Sequence, residues 1–197
     1  MIKKDQILIK PHKPDLKEKM FFLLSGIIVS IPITLLFETF AGNLSHVLPL
    51  FLSETILIVI FAPLIEEFAK AYPLFYRHGE TERSIFVLGF LVGLGFGISE
   101  FLIYVFITGV PIIVRLPGIL FHAASTSIVA YGIAKRQPIK YYSIAVGLHF
   151  LNNFSAIFDP GIIGFLVANV TTFYLSWRYY NKTSENFIEE SYVLNFE

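Results

Sequence analysis

The sequence contains no cysteine among its 197 residues, which excludes disulfide bonds, thiolate metal sites and a cysteine nucleophile. Charge is also scarce, because Asp, Glu, Lys and Arg make up 15% of the residues, against about 25% in a typical soluble domain. The 15 basic residues are balanced by 15 acidic ones, so the chain lacks the basic surplus of a nucleic-acid-binding protein. We therefore expect no nucleic-acid partner.

The chain is rich in apolar residues, with 55% hydrophobic residues and a mean hydropathy of +0.67. Six apolar runs approach the roughly 20 residues with which a helix crosses a bilayer. The predicted spans are 20–40, 47–66, 85–107, 112–134, 141–158 and 161–179. We expect an all-α integral membrane protein, a bundle of about six transmembrane helices in the cell membrane.

The positions of Lys and Arg predict the orientation of this bundle. All but two of the 15 lie in the N-terminal arm, in two alternate loops or after the last span, and the other connections contain none. Cytoplasmic loops carry the excess of Lys and Arg, so both termini are predicted to be cytoplasmic. The first run is long for a signal-peptide core and is expected to be a retained span. The predicted division is a cytoplasmic arm 1–19, a single transmembrane domain 20–180 and a cytoplasmic tail 181–197.

Several ionisable side chains fall inside the predicted spans, where they are costly and by default mark function. They are tolerable only if they face the interior of the bundle and one another. One of them, Glu38, lies near the outer end of the first span, and we assign it to the membrane interface. The whole set is Glu38, Glu66, Glu67, Lys70, Glu100, Arg115, His122 and His149, with Asn152 and Asn153 beside them.

The stretch APLIEEFAKAYP places two adjacent glutamates and a lysine directly after an apolar run. Glu66 and Glu67 are about 100° apart on a helix, so both can border one cavity. Lys70 is within one helical turn of either glutamate. The motif is either an ion pair at a helix end or a carboxylate pair suited to acid–base chemistry. Pro63 and Pro73 are expected to kink or end the helix around it.

Two histidines lie on later spans. Arg115 and His122 are seven residues apart and share a face of the fourth span, and His149 and Asn153 share a face of the fifth. Glu100 has no cation within a helical turn, so Arg115, His122 and His149 are its candidate partners. Histidine and carboxylate ligands suit zinc, but there is no H-E-x-x-H helix, and any metal site must be assembled across spans.

The motifs EEFAK, FGISE, RLPGILFH and HFLNN follow one another on successive predicted helices, between Ala62 and Asn153. This order resembles the PrsW family of intramembrane proteases, which belongs with the CAAX proteases and bacteriocin-processing enzymes. The CAAX prenyl endopeptidases have Arg where this chain has Ala71, and His where it has Glu100. The resemblance therefore favours a PrsW-like protein over a prenyl-protein processing enzyme. Some relatives in that clan are scaffolds without hydrolytic activity.

The residues and the resemblance together predict an endopeptidase that cleaves membrane proteins or peptides within the bilayer. Water would enter from the cytoplasmic side, and Glu66 or Glu67 would act as general base. His149 and Asn153 would stabilise the oxyanion, and His122 would assist proton transfer. The predicted catalytic set is Glu66, Glu67, Glu100, His122, His149 and Asn153, supported by Lys70 and Arg115.

Three other functions stay open on the sequence alone. The leading hypothesis requires no cofactor, and the runner-up is a zinc-dependent protease with His122, His149 and Glu67 as ligands. Buried glutamates and histidines also carry protons in transporters, so a proton-coupled transporter is a third possibility. The fourth is a non-catalytic scaffold that binds other membrane helices through its glycine-rich faces.

Overall fold

The computed structural model describes residues 13–45, 48–76, 81–158 and 162–185, and these fold almost entirely into helices, with no β-strand among them. The predicted all-α class is confirmed. The parts of the predicted arm and tail at 1–12 and 186–197 lie outside the described residues. The α-helices are α1 (Leu16–Ser25), α2 (Ile31–Ser45), α3 (Leu50–Ile56), α4 (Ala62–Ala71), α5 (Glu82–Leu102), α6 (Ile112–Ala134), α7 (Pro138–Phe158) and α8 (Ile162–Tyr180).

Short turns of tighter or wider helix extend several of these elements. The turns at Gly26–Ser30, Leu57–Phe61 and Ile103–Ile107 are π-helical, and Tyr72–Phe75 is a 3-10 turn. Because the first two π turns join α1 to α2 and α3 to α4, the described ranges contain six continuous helical segments. Their bounds lie within about five residues of the six predicted spans, except that the second segment continues to Phe75, beyond its predicted end at 66.

Three segments are long and apolar enough to cross a membrane, namely Leu16–Asn43, Glu82–Ile107 and Ile112–Ala134. The other three carry more polar side chains, among them Glu66 and Glu67 in α4 and His149 in α7. The described part of the chain is thus all-helical, with three candidate spans. Six spans with both termini cytoplasmic stay a prediction.

Helices α5 and α6 pack closely along their length at the centre of the fold. A Cβ atom at Gly93 of α5 would overlap the carbonyl oxygen of His122 and the Thr126 hydroxyl of α6. Small residues at such positions let two helix backbones approach, which compensates for the absence of a hydrophobic driving force in lipid. The close approach holds the α6 backbone that carries His122 directly against α5.

Helix α4 is amphipathic, but its charged face points into the protein and its apolar face points outward, the reverse of a surface helix in a soluble protein. Its charged residues Glu66, Glu67 and Lys70 are buried, whereas Leu64 and Phe68 are exposed on the outer surface. A π-helical turn ends directly before α4, whose second residue is Pro63, and the helix gives way to the 3-10 turn that contains Pro73. The prolines therefore delimit the motif as expected, since neither can donate a backbone hydrogen bond.

Polar side chains tie α8 to the rest of the structure. The hydroxyls of Ser127 in α6 and Ser176 in α8 are 2.7 Å apart, and the Asn169 amide of α8 donates to Asn152 of α7 at 3.0 Å. The segment after α8 folds back onto the start of α5, where the Arg83 guanidinium donates to the Thr183 hydroxyl at 2.9 Å. Hydrogen bonds between helices within lipid stabilise a bundle modestly, by roughly 0.6 kcal/mol each.

Candidate active site

The predicted polar side chains of α4, α5, α6 and α7 converge on one buried cluster. Its charged and histidine members are Glu66, Glu67, Lys70, Glu100, His122 and His149. Helix α4 supplies three of them because its inner face is the polar one. The other helices supply one each, so the cluster exists only when the four helices are packed together.

Glu67 is the most completely bonded carboxylate of the cluster. Its Oε1 accepts from the Lys70 ammonium at 2.7 Å and lies 2.9 Å from His149 Nδ1. The Ser125 hydroxyl lies 3.2 Å from Oε1 and 3.3 Å from Oε2. The residue is 0% exposed, so these partners substitute for the water it has lost. Glu67 is therefore held as a fixed hydrogen-bond acceptor.

Glu66 has the opposite character, because its Oε2 atom is buried and no residue of the described ranges is hydrogen-bonded to it. This oxygen lies 3.9 Å from His122 Nδ1 and 3.8 Å from His149 Nε2. These distances are too long for direct hydrogen bonds but suit a water molecule shared by the three atoms. Of the two adjacent glutamates, Glu66 is thus the one that faces both histidines with a free oxygen.

Each histidine is oriented by a carboxylate. His149 donates from Nδ1 to Glu67, which leaves the lone pair of Nε2 directed toward Glu66. His122 donates from Nε2 to Glu100 Oε2 at 2.6 Å, and its Nδ1 accepts from the Lys70 ammonium at 2.8 Å. Carboxylates that hold one ring nitrogen in this way fix the tautomer and the direction of the other nitrogen.

Glu100 contacts two of its three predicted partners. Besides His122, it contacts Arg115, whose Nη2 lies 2.7 Å from Glu100 Oε1. The Arg115 guanidinium also lies over the Tyr104 ring, 3.7 Å from the ring centroid. Arg115 is one of the two basic residues that lie at or within the predicted spans and not in a loop or terminal segment. Its guanidinium neutralises a carboxylate within the bundle.

Asn153 lies at the edge of the cluster. Its side-chain amide donates to the Ile58 carbonyl oxygen at 2.9 Å, in the π-helical turn before α4. This bond fastens α7 to that turn and uses one of the two N–H groups of the side-chain amide, so the oxyanion role of Asn153 stays a prediction. Asn153 borders the same cavity as Glu66.

A partly open cavity of about 280 Å³ leads to Glu66. Its polar lining residues are Glu38, Glu66, Glu100, Tyr104, Arg115 and Asn153, and its apolar ones are Leu57, Ile58, Ala62 and Ala156. Most of these residues lie toward the end of the bundle that contains the turn at Thr108, away from the described N-terminus. With cytoplasmic termini this end would face outward, so the cavity does not fit the expected entry of water from the cytoplasm.

The sequence assigns Glu38 to the membrane interface, which stays a prediction, and the structure shows that it lines the wall of this cavity. Ser125 is not among the predicted site residues, but its hydroxyl reaches Glu67. The signal for Ser125 was its position three residues after His122, on the same helix face. The signal for Glu38 was that it is an acid within an apolar run.

The structure also alters the predicted metal ligands. One ligand atom each from Glu66, His122 and His149 lies within 4.8 Å of the others, and all three residues are buried. Glu66 therefore replaces the predicted Glu67, whose carboxylate is already occupied by Lys70 and His149. The unpartnered Oε2 of Glu66 and the carboxylates of Glu67 and Glu100, which hold the other ring nitrogens of the histidines, fit a zinc site, provided that Lys70 releases His122 Nδ1.

Comparison with known proteins gives one match. The family model described as "PrsW family intramembrane metalloprotease" matches residues 17–178. The match covers well over half of the chain and extends beyond the four motifs on both sides. No curated protein and no solved structure matches the chain.

Proposed function

Since the chain belongs to the PrsW family of intramembrane metalloproteases, we propose that it hydrolyses peptide bonds of membrane proteins at a centre formed by Glu66, His122 and His149. The observation that carries this proposal is the buried, unpartnered Oε2 of Glu66, which lies within 4 Å of a ring nitrogen of each histidine. Burying a hydrogen-bond acceptor without a partner costs folding free energy, so we expect a bound group to supply the missing partner. A water molecule or a metal ion would do so.

In the metal-free form of this mechanism, Glu66 is the general base. It accepts a proton from the water as the water oxygen attacks the carbonyl carbon of the substrate, and it later returns that proton to the leaving amine. His149 Nε2 faces the same space and helps to hold the water. The partly open cavity beside Glu66 admits the peptide.

The remaining charged residues position the centre without touching the reacting atoms. Lys70 and Glu67 fix the ring of His149 through its Nδ1. Glu100, neutralised by Arg115, fixes the ring of His122 through its Nε2. Such partners commonly change the activity of a site by 10–100-fold when they are removed, roughly the effect expected here.

The same three side chains would hold Zn²⁺ through Glu66 Oε2, His122 Nδ1 and His149 Nε2. Zinc bound there would supply a Lewis acid for a carbonyl oxygen or a water molecule. Glu66 would then be a ligand, and the Lys70 ammonium would leave His122 Nδ1. The family description and the donor set both support this second form.

The test uses purified protein in liposomes, mixed with a solubilised membrane-protein extract, and maps new N-termini by mass spectrometry. We expect Glu66→Gln to lose cleavage by roughly 10²–10⁴-fold, the usual contribution of a general acid–base group. The matched control is Glu54→Gln, the same change at an exposed position of α3. A folded Glu66→Gln protein that cleaves as fast as the wild type would disprove the proposal.

Zinc content distinguishes the two forms. A metal centre predicts about one zinc per chain, loss of that zinc in His149→Ala, and inhibition by chelators. Chelator-resistant cleavage by metal-free protein would instead support Glu66 as the base.

A further inference from the structure

Glu38 lies outside the catalytic centre but in the wall of the same cavity. It belongs to α2, which supplies none of the residues of the buried cluster. In the described ranges, no hydrogen bond or ion pair reaches its carboxylate. An ionisable group of this kind in an apolar segment commonly has a partner, and none of the described residues supplies one.

The charges around the cavity show what kind of partner fits. Three carboxylates border it, from Glu38, Glu66 and Glu100, against the single guanidinium of Arg115. Arg115 is paired with Glu100, and Lys70 is turned toward Glu67 and His122 beneath the cavity. Glu38 is thus left without a counter-ion among the described residues. Low-dielectric walls strengthen the negative potential of such a cleft and attract cations.

The Glu66 side chain is a second sign that this cavity receives a ligand, because it is nine-tenths buried and its Oε2 atom has no partner among the described residues. It lines the same cavity, at the place of the proposed reaction. Glu38 lines the same cavity and is less deeply buried. A group that enters the cavity toward Glu66 therefore meets the carboxylate of Glu38.

We propose that Glu38 is a specificity-determining residue that binds the positively charged side chain of a substrate lysine or arginine close to the scissile bond. The cavity, at about 280 Å³, has room for one side chain and its backbone rather than for a second helix. Leu57, Ile58 and Ala62 would contact the aliphatic stem, and the Glu38 carboxylate would bind the charged end. This inference rests on the proposed function.

The test compares wild type, Glu38→Gln, Glu38→Lys and the control Glu54→Gln in liposomes with the solubilised membrane-protein extract. Wild type and control should cut preferentially at sites with Lys or Arg at one fixed position. Glu38→Gln should lower the ratio of cleavage at basic sites to cleavage at neutral sites by about tenfold. This loss is larger than that of an exposed charge pair and smaller than that of a fully buried one. Glu38→Lys should shift the preference to Asp or Glu.

The mapped sites then supply matched peptides that carry Lys or norleucine at that position, and kcat/KM for the pair measures the preference directly. Wild-type sites without a basic preference, or identical sites for wild type and Glu38→Lys, would overturn the inference and leave the proposed function standing. If the wild type produces no cleavage sites beyond those found with Glu66→Gln, both the role of Glu38 and the proposed function are overturned. Basic-site cutting that persists in Glu38→Gln would likewise reject the role of Glu38.

Discussion

Lys70 is a fully buried cation whose three neighbours explain why it is tolerated. Its ammonium lies 2.7 Å from Glu67, 2.8 Å from His122 and 4.9 Å from the centre of the Phe96 ring. Each contact replaces part of the hydration that the ammonium loses on burial. Lys70 is therefore a structural counter-ion of the cluster, and its removal would leave Glu67 with a buried negative charge.

We predict that Lys70→Met destabilises the protein by about 3–5 kcal/mol, the usual cost of removing one partner of a buried ion pair. The control is Lys135→Met, which removes the partly exposed partner of Glu82 and should cost about 1 kcal/mol or less. Chemical denaturation in detergent micelles, followed by circular dichroism, measures both.

The double variant Lys70→Met with Glu67→Gln should lose less stability than the two single changes added together, because no uncompensated charge remains. Equal losses for Lys70→Met and Lys135→Met would show that Lys70 is not a buried counter-ion.

At the scale of one helix, α4 shows what can be predicted from sequence and what cannot. The spacing of Glu66, Glu67 and Lys70 was enough to place all three near one interior cavity. It could not decide which glutamate faces the histidines, because the two differ by only about 100° around the helix. That choice depends on the rotation of α4 against α6 and α7, which is a property of the packed bundle.

The contact between α5 and α6 positions His122 through backbone proximity. We predict that Gly93→Ala destabilises the protein by about 1–3 kcal/mol, since its Cβ would overlap the His122 carbonyl and overpack the contact. Cleavage should fall as well, because α6 must shift away from α5 and carry the histidine with it.

The matched control for this change is Gly147→Ala in α7, where an added Cβ meets no atom within 4 Å. It should be neutral or stabilising by up to about 1 kcal/mol, the gain in helix propensity. Thermal unfolding and cleavage assays on both variants test this. If Gly93→Ala behaves like Gly147→Ala, the close approach of α5 and α6 does not position His122.

For the whole molecule, apolar runs predicted the helical segments well, because length and hydropathy are local properties. Among the described residues, three segments are long and apolar enough to cross a membrane; others fall short in part because the site adds charged and polar residues to α4 and α7. The place of Glu38 in the cavity was not predictable, since it depends on which helices are neighbours. The sequence shows that an acidic residue such as Glu38 is unusual in an apolar run, but only the packing of the helices shows that it faces the cavity.

The orientation in the membrane is testable because the chain has no cysteine, so a single introduced cysteine carries the only thiol. Thr108 and Gln137 are exposed at the two ends of α6. With cytoplasmic termini, Thr108→Cys should react with a membrane-impermeant maleimide in intact cells, and Gln137→Cys only after permeabilisation.

The reverse labelling pattern would contradict the predicted orientation, and labelling of both positions from one side would mean that α6 does not cross. The result also decides which side of the membrane the substrate approaches from. Tyr104 and Arg115, which flank the turn at Thr108, line the cavity beside Glu66. If Thr108→Cys is labelled from outside, the cavity opens on the non-cytoplasmic side, and the peptide bond must reach Glu66 from that side.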